Sequence, residues 1–79
     1  MDAEHAKKLM EGLLFISEQP VTLKRIKLVL PDLDGPAAAA LIDALNEHYL
    51  QDGHAWQVQE VAGGYQLVTD PQLAAQLKK

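Results

Sequence analysis

Seventy-nine residues, 48% of them apolar, carry a formal net charge of −4 and contain no cysteine. A chain of this size makes one domain and buries only about 60–65% of the surface its unfolded form exposes. The composition excludes a disordered chain, disulfides and thiolate metal sites, and the acidic balance leaves few cations for neutralising phosphates.

The first segment, Ala3 to Ser17, reads as a helix. At 100° per residue Ala6, Leu9, Leu13 and Ile16 cluster on one side, and Met10 and Leu14 widen that side to roughly 160°. Phe15 falls well outside the arc. The helix is expected to end near Ser17, because Pro20 disfavours the α region for the residue before it. Val21-Thr22 opens a second helix with Thr22 as its cap, Leu23, Ile26 and Leu30 in its stripe, and Leu28 and Val29 thickening it. Pro31 stops it. Asp34 caps a third helix running from Pro36 to Gln51, with Pro36 in its first turn. Ala38, Leu41, Ile42, Leu45 and Tyr49 form its apolar face, while Asp43, Asn46, Glu47 and Gln51 form its polar face. Leu50 stands among those polar residues. Gly53 suits the left-handed conformation that closes a helix.

The period then changes from helical to alternating. Trp56-Gln57-Val58-Gln59 and Tyr65-Gln66-Leu67-Val68-Thr69 read as strands around a Gly63-Gly64 hairpin. Closure at those two glycines sets Glu60 opposite Leu67 and puts Trp56, Val58, Tyr65 and Leu67 on the face that packs on the helices. Val61 and Val68 share the outer face with Gln57, Gln59 and Gln66. Asp70-Pro71 starts a short fourth helix whose contacts are Leu73, Ala74 and Leu77. The expected fold is α+β: a winged-helix domain over residues 1–79, with a three-helix core, a two-stranded β-hairpin wing and a short C-terminal helix. A three-helix domain with an unrelated hairpin has the same element order.

Nothing in the spacing points to catalysis. The lone Ser17 has no His–Asp constellation and suits a helix end. Gly63-Gly64 lacks phosphate-loop spacing. His5, His48 and His54 show no metal-ligand pair on a helix face and no acidic residue at a telling offset, so neither a metal nor a cofactor is expected. The carboxylates sit at helix starts or on solvated faces. No apolar run approaches the ~20 residues that span a bilayer, and the absence of cysteine fits a reducing cytoplasm.

Winged-helix order raises DNA binding as the rival function, with a third helix in the major groove reading bases through Arg, Lys, Asn or Gln. Here the third helix has no Lys or Arg and presents Asp43 and Glu47, and the wing from Val61 to Tyr65 is equally without basic residues. Lys24, Arg25 and Lys27 form the basic cluster, on the second helix. Sequence-specific DNA reading by this domain is therefore not expected, and a winged-helix transcription regulator stands as the alternative. Phe15, Leu50, Val61 and Val68 are instead apolar residues away from the core, and they are the candidate protein interface.

Two stretches carry a family resemblance. Leu13-Leu14-Phe15-Ile16-Ser17-Glu18-Gln19-Pro20-Val21 resembles the opening of segregation and condensation protein B, and Val61-Ala62-Gly63-Gly64-Tyr65-Gln66-Leu67-Val68-Thr69 resembles its wing. The resemblance extends over essentially the whole chain. It implies a non-catalytic accessory subunit of bacterial condensin, cytoplasmic and nucleoid-associated, acting in chromosome condensation and segregation. It also implies a homodimer partnered with the kleisin, segregation and condensation protein A, and through it with the SMC ATPase. Family members carry two winged-helix domains and a tail, so this chain looks like the first of them, the one associated with homodimerisation.

Overall fold

The structure is a computed structural model that describes residues 2–77, apart from the side chain of Ala74. Four helices and three strands follow in the order α1 (Ala3–Ile16), β1 (Val21–Thr22), α2 (Leu23–Val29), α3 (Gly35–Gln51), β2 (Trp56–Val61), β3 (Gly64–Thr69) and α4 (Pro71–Leu77). Each helix start is satisfied locally. Asp2, Thr22 and Asp34 accept from the amides of His5, Arg25 and Ala37 at 2.8, 3.3 and 2.8 Å. Asp70 accepts from the Gln72 amide at 2.9 Å, at the head of α4. These side chains supply acceptors for amides that have no partner within the helix. Ser17 closes α1 by donating its hydroxyl to the Leu13 carbonyl at 2.6 Å.

The core lies where α1, α2 and α3 converge on the inner face of the sheet. Met10, Leu13 and Leu14 meet Ile26 and Leu30, Ile42, Leu45 and Tyr49, and Val21 and Val58 from the strands. Each such side chain contributes roughly 1.5–3 kcal/mol on burial, and the helical arcs read from the sequence supply most of them.

The sheet departs from expectation. It has three strands, ordered β1-β3-β2 and antiparallel throughout, rather than the two of a hairpin. Thr22 caps α2 as expected, but Val21 and Thr22 also form a strand of their own. They are extended and pair with Tyr65 and Gly64, because the outer edge of β3 is free to accept them. The hairpin turn is Ala62-Gly63, not Gly63-Gly64; both residues have positive φ, 50° and 79°, as a two-residue turn of the favoured hand requires. Gly64 is claimed by β1 instead: a Cβ there would lie 2.8 Å from the Val21 carbonyl oxygen. The register therefore slips by two residues, setting Glu60 opposite Tyr65 and Val58 opposite Leu67. A two-residue slip preserves the sides of the sheet, so the expected division of residues between inner and outer faces holds.

Three apolar residues assigned to packing are exposed. Leu28 is 80% exposed, since it stands about 200° of helical rotation from Ile26. Ile16 is 76% exposed, at the last position of α1 before the chain turns extended at Ser17. Leu77 is 63% exposed at the end of α4, where Leu73 is half-buried; the expected contact through Ala74 lies outside the described side chains. Three helices packed on a sheet whose β2–β3 hairpin follows α3 make the winged-helix arrangement.

Candidate protein interface

The last turn of α1 and the sheet frame an apolar cleft of about 320 Å³, lined by Leu14, Phe15, Ser17, Trp56, Leu67, Val68 and Thr69. Phe15 points away from the helical core, as its place outside the arc requires, and is 63% exposed. It is not isolated. Its ring meets Trp56 edge-on, with centroids 6.2 Å apart at 77°. Trp56 in turn contacts Tyr49 edge-on at 5.9 Å and stacks on His54 at 4.5 Å and 26°. Edge-on and offset-stacked rings are the arrangements their quadrupoles favour, so the aromatic wall of the cleft is fixed before anything binds.

Beneath the wall, the Tyr49 hydroxyl donates to Glu11 Oε2 at 2.6 Å and ties α3 to α1. Burial pushes the Tyr49 phenol far above its ordinary range, and the bonded, charged Glu11 pushes it further. The Trp56 indole N–H works against this, approaching the same hydroxyl without completing a hydrogen bond, and Nε1 is buried and unpaired.

The four candidate interface residues occupy three places. Phe15 and Val68 are brought to the one cleft. Leu50, 80% exposed on α3, borders a neighbouring depression shared with Tyr49, His54 and Trp56. Val61 sits half-buried at the tip of β2, opposite Gly64. A second apolar depression of about 340 Å³, lined by Lys8, Leu9, Gly12, Leu13, Ile16 and Val29, lies on the α1–α2 side. The sequence reading missed it because Ile16 was assigned to the core; the signal available was its place in the last turn before the chain leaves the helix. Trp56 packs against the core from the inner face, as expected, and its half-buried ring also forms the cleft wall.

Two polar groupings were also missed. Asn46, assigned to the solvated face of α3, bonds both backbone groups of Val58: its Nδ2 donates to the Val58 carbonyl at 2.9 Å, and its Oδ1 accepts from the Val58 amide at 2.7 Å. The expectation that the histidines stand apart from acidic partners does not hold either. His48 Nε2 lies 3.2 Å from Asp52 Oδ2, one helical turn away, and the ligand atoms of His48, Asp52 and His54 all fall within 4.8 Å of one another. The basic residues Lys24, Arg25 and Lys27 are exposed on α2, while the exposed polar face of α3 carries Asp43 and Glu47. Among the described residues, no helix is long and apolar enough to cross a membrane.

A family model described as "Segregation and condensation complex subunit ScpB" matches residues 8–79. Segregation and condensation protein B of Symbiobacterium thermophilum is 37% identical over 75 residues, covering 95% of this chain and 34% of its own length. The protein of the same name from Geobacillus thermodenitrificans is 38% identical over 78 residues, covering 98% and 37%. The chain thus spans well under half the length of the curated relatives it matches. Among solved structures, a conserved hypothetical protein from Chlorobium tepidum superposes with a TM-score of 0.89 at 26% identity, over 96% of this chain and 48% of that one. A dimer of the ScpB N-terminal domain complexed with ScpA peptide superposes with a TM-score of 0.76 at 29% identity, over 95% and 93%.

Proposed function

This chain belongs to the segregation and condensation protein B family, and from that premise we propose that it is a non-catalytic assembly module of the bacterial condensin. In this reading residues 1–79 act as the N-terminal winged-helix domain of a two-domain subunit. The domain pairs with a second copy of itself through Phe15, Leu50, Val61 and Val68, and it joins the kleisin, through which it reaches the SMC ATPase. Its place of work is the cytoplasm, at the nucleoid.

The observation that carries this reading is the pre-formed aromatic cleft. Phe15 and Leu50 are large apolar side chains held exposed at 63% and 80%, beside a Trp56 already fixed by its neighbours. Aromatic anchors of that kind concentrate binding energy at protein interfaces. The likeness to a dimeric ScpB N-terminal domain in complex with a ScpA peptide, which this chain covers almost end to end, supports self-association and peptide docking. Two separate apolar surfaces, the Phe15 cleft and the Ile16 depression, suit two separate contacts.

Light scattering on the purified chain tests the first contact, with a dimer expected at micromolar concentration. A monomer persisting at millimolar concentration rules out self-association by this domain. Calorimetric titration with a peptide from the kleisin of the same organism tests the second.

A further inference from the structure

His48 and Asp52 stand outside the residues assigned to either contact, and together with His54, which borders the Leu50 depression, they have the chemistry of a metal centre. We propose that these three side chains bind a divalent first-row transition-metal ion of the Zn²⁺ class. Two imidazoles and one carboxylate are a donor set such ions prefer, and three protein ligands leave a fourth position for water or an incoming group.

The geometry is largely in place. Zn–N and Zn–O distances near 2.0–2.2 Å in a tetrahedron put neighbouring donors roughly 3.3 Å apart. His48 Nε2 and Asp52 Oδ2 are at 3.2 Å. All three donors lie within 4.8 Å of one another, close to the spacing that an ion requires. His48 and Asp52 share a face because they are four residues apart at the end of α3. His54 returns to that face because Gly53, at φ 71°, turns the chain back over the helix end. The turn is held by the His54 amide, which donates to the Tyr49 carbonyl at 2.9 Å. The His54 ring is already oriented, stacked on Trp56 and edge-on to Tyr49 at 5.6 Å. The negative end of the helix dipole adds a field that favours a cation. A bound ion would join the last turn of α3 to the start of β2 across that single glycine.

The test uses the tag-free chain and chloride salts of Zn²⁺ and Ni²⁺. Calorimetry is expected to show one saturable Zn²⁺ equivalent. Ni²⁺ is expected to quench the fluorescence of Trp56, the one tryptophan of the chain, because the ion would sit on the ring stacked against it. His48→Ala and Asp52→Asn remove exposed groups and leave the fold intact by circular dichroism; each should weaken both signals by roughly tenfold or more, since even outer-sphere partners matter on that scale. His54→Ala should abolish both, and His5→Ala should change neither. Binding that survives the His48→Ala, His54→Ala double variant, or that disappears with His5→Ala, overturns the proposal. So does a Zn²⁺ titration that reaches millimolar without saturating.

Discussion

Asn46 of α3 and Val58 of β2 exchange two hydrogen bonds, 2.9 and 2.7 Å, so one side chain satisfies both outward backbone groups of a buried residue on an edge strand. An open edge is a template for unwanted strand pairing. The amide occupies it at Val58 and fastens the wing to α3 at the same time. Asn46→Ala leaves both groups of Val58 unpaired and is expected to lower stability by about 1–3 kcal/mol. Urea unfolding followed by circular dichroism measures it. Asn46→Asp should also destabilise: the carboxylate can still accept from the Val58 amide, but it sets a second acceptor against the Val58 carbonyl. An Asn46→Ala chain as stable as the wild type would show that water replaces the clamp.

Gly64 and Gly63 adjoin in sequence and should respond differently to alanine. At Gly63 the space is open and the cost is that of a left-handed backbone, about 1–2 kcal/mol. At Gly64 the new methyl meets backbone, the Val21 carbonyl at 2.8 Å, which cannot swing aside as a side chain can. Gly64→Ala must separate β1 from β3, and its loss of stability in chemical denaturation should exceed that of Gly63→Ala.

Tyr49 makes the domain sensitive to alkali. Burial first, and then Glu11, push its phenol upward, while in the unfolded chain it ionises near pH 10. The folded state thus holds a proton that the unfolded state gives up. The associated stability is fully present below about pH 10 and declines as pH rises beyond it. In a Tyr65→Phe chain, tyrosinate absorbance should appear together with loss of helical circular dichroism. Tyrosinate forming near pH 10 in a chain still folded would contradict this.

Charge placed on the two apolar surfaces should separate their roles. Phe15→Glu and Leu50→Glu are expected to shift the dimer to monomer in light scattering while the domain stays folded, since both side chains are mostly exposed. Ile16→Glu is expected to leave the dimer and weaken the kleisin peptide by tenfold or more, the effect of about 1.4 kcal/mol. The reverse pattern would exchange the two assignments.

The helices were legible because their signals are local. The arc of Met10, Leu13 and Leu14, the face of Ile42, Leu45 and Tyr49, and the caps Thr22, Asp34 and Asp70 depend on residues a few positions apart. The exposure of Phe15 and Leu50 was legible for the same reason. What escaped depends on distant partners. Val21 becomes a strand only because β3 offers it an edge, and that same pairing draws Gly64 out of the turn. Asn46 looks solvated until β2 arrives beside it. His54 joins His48 and Asp52 only after Gly53 reverses the chain.

Because β1 holds β3 at Gly64 and Tyr65 beside the turn, while Asn46 holds β2 at Val58, the strands do not rely on the Ala62-Gly63 tip alone to keep their alignment. The tip is then free to vary in length: a longer connection adds only a slowly growing closure entropy, and the strands below remain in step. The wing tip is thus the place on this domain where extra residues can be inserted, by evolution or by design, without disturbing the body that carries them.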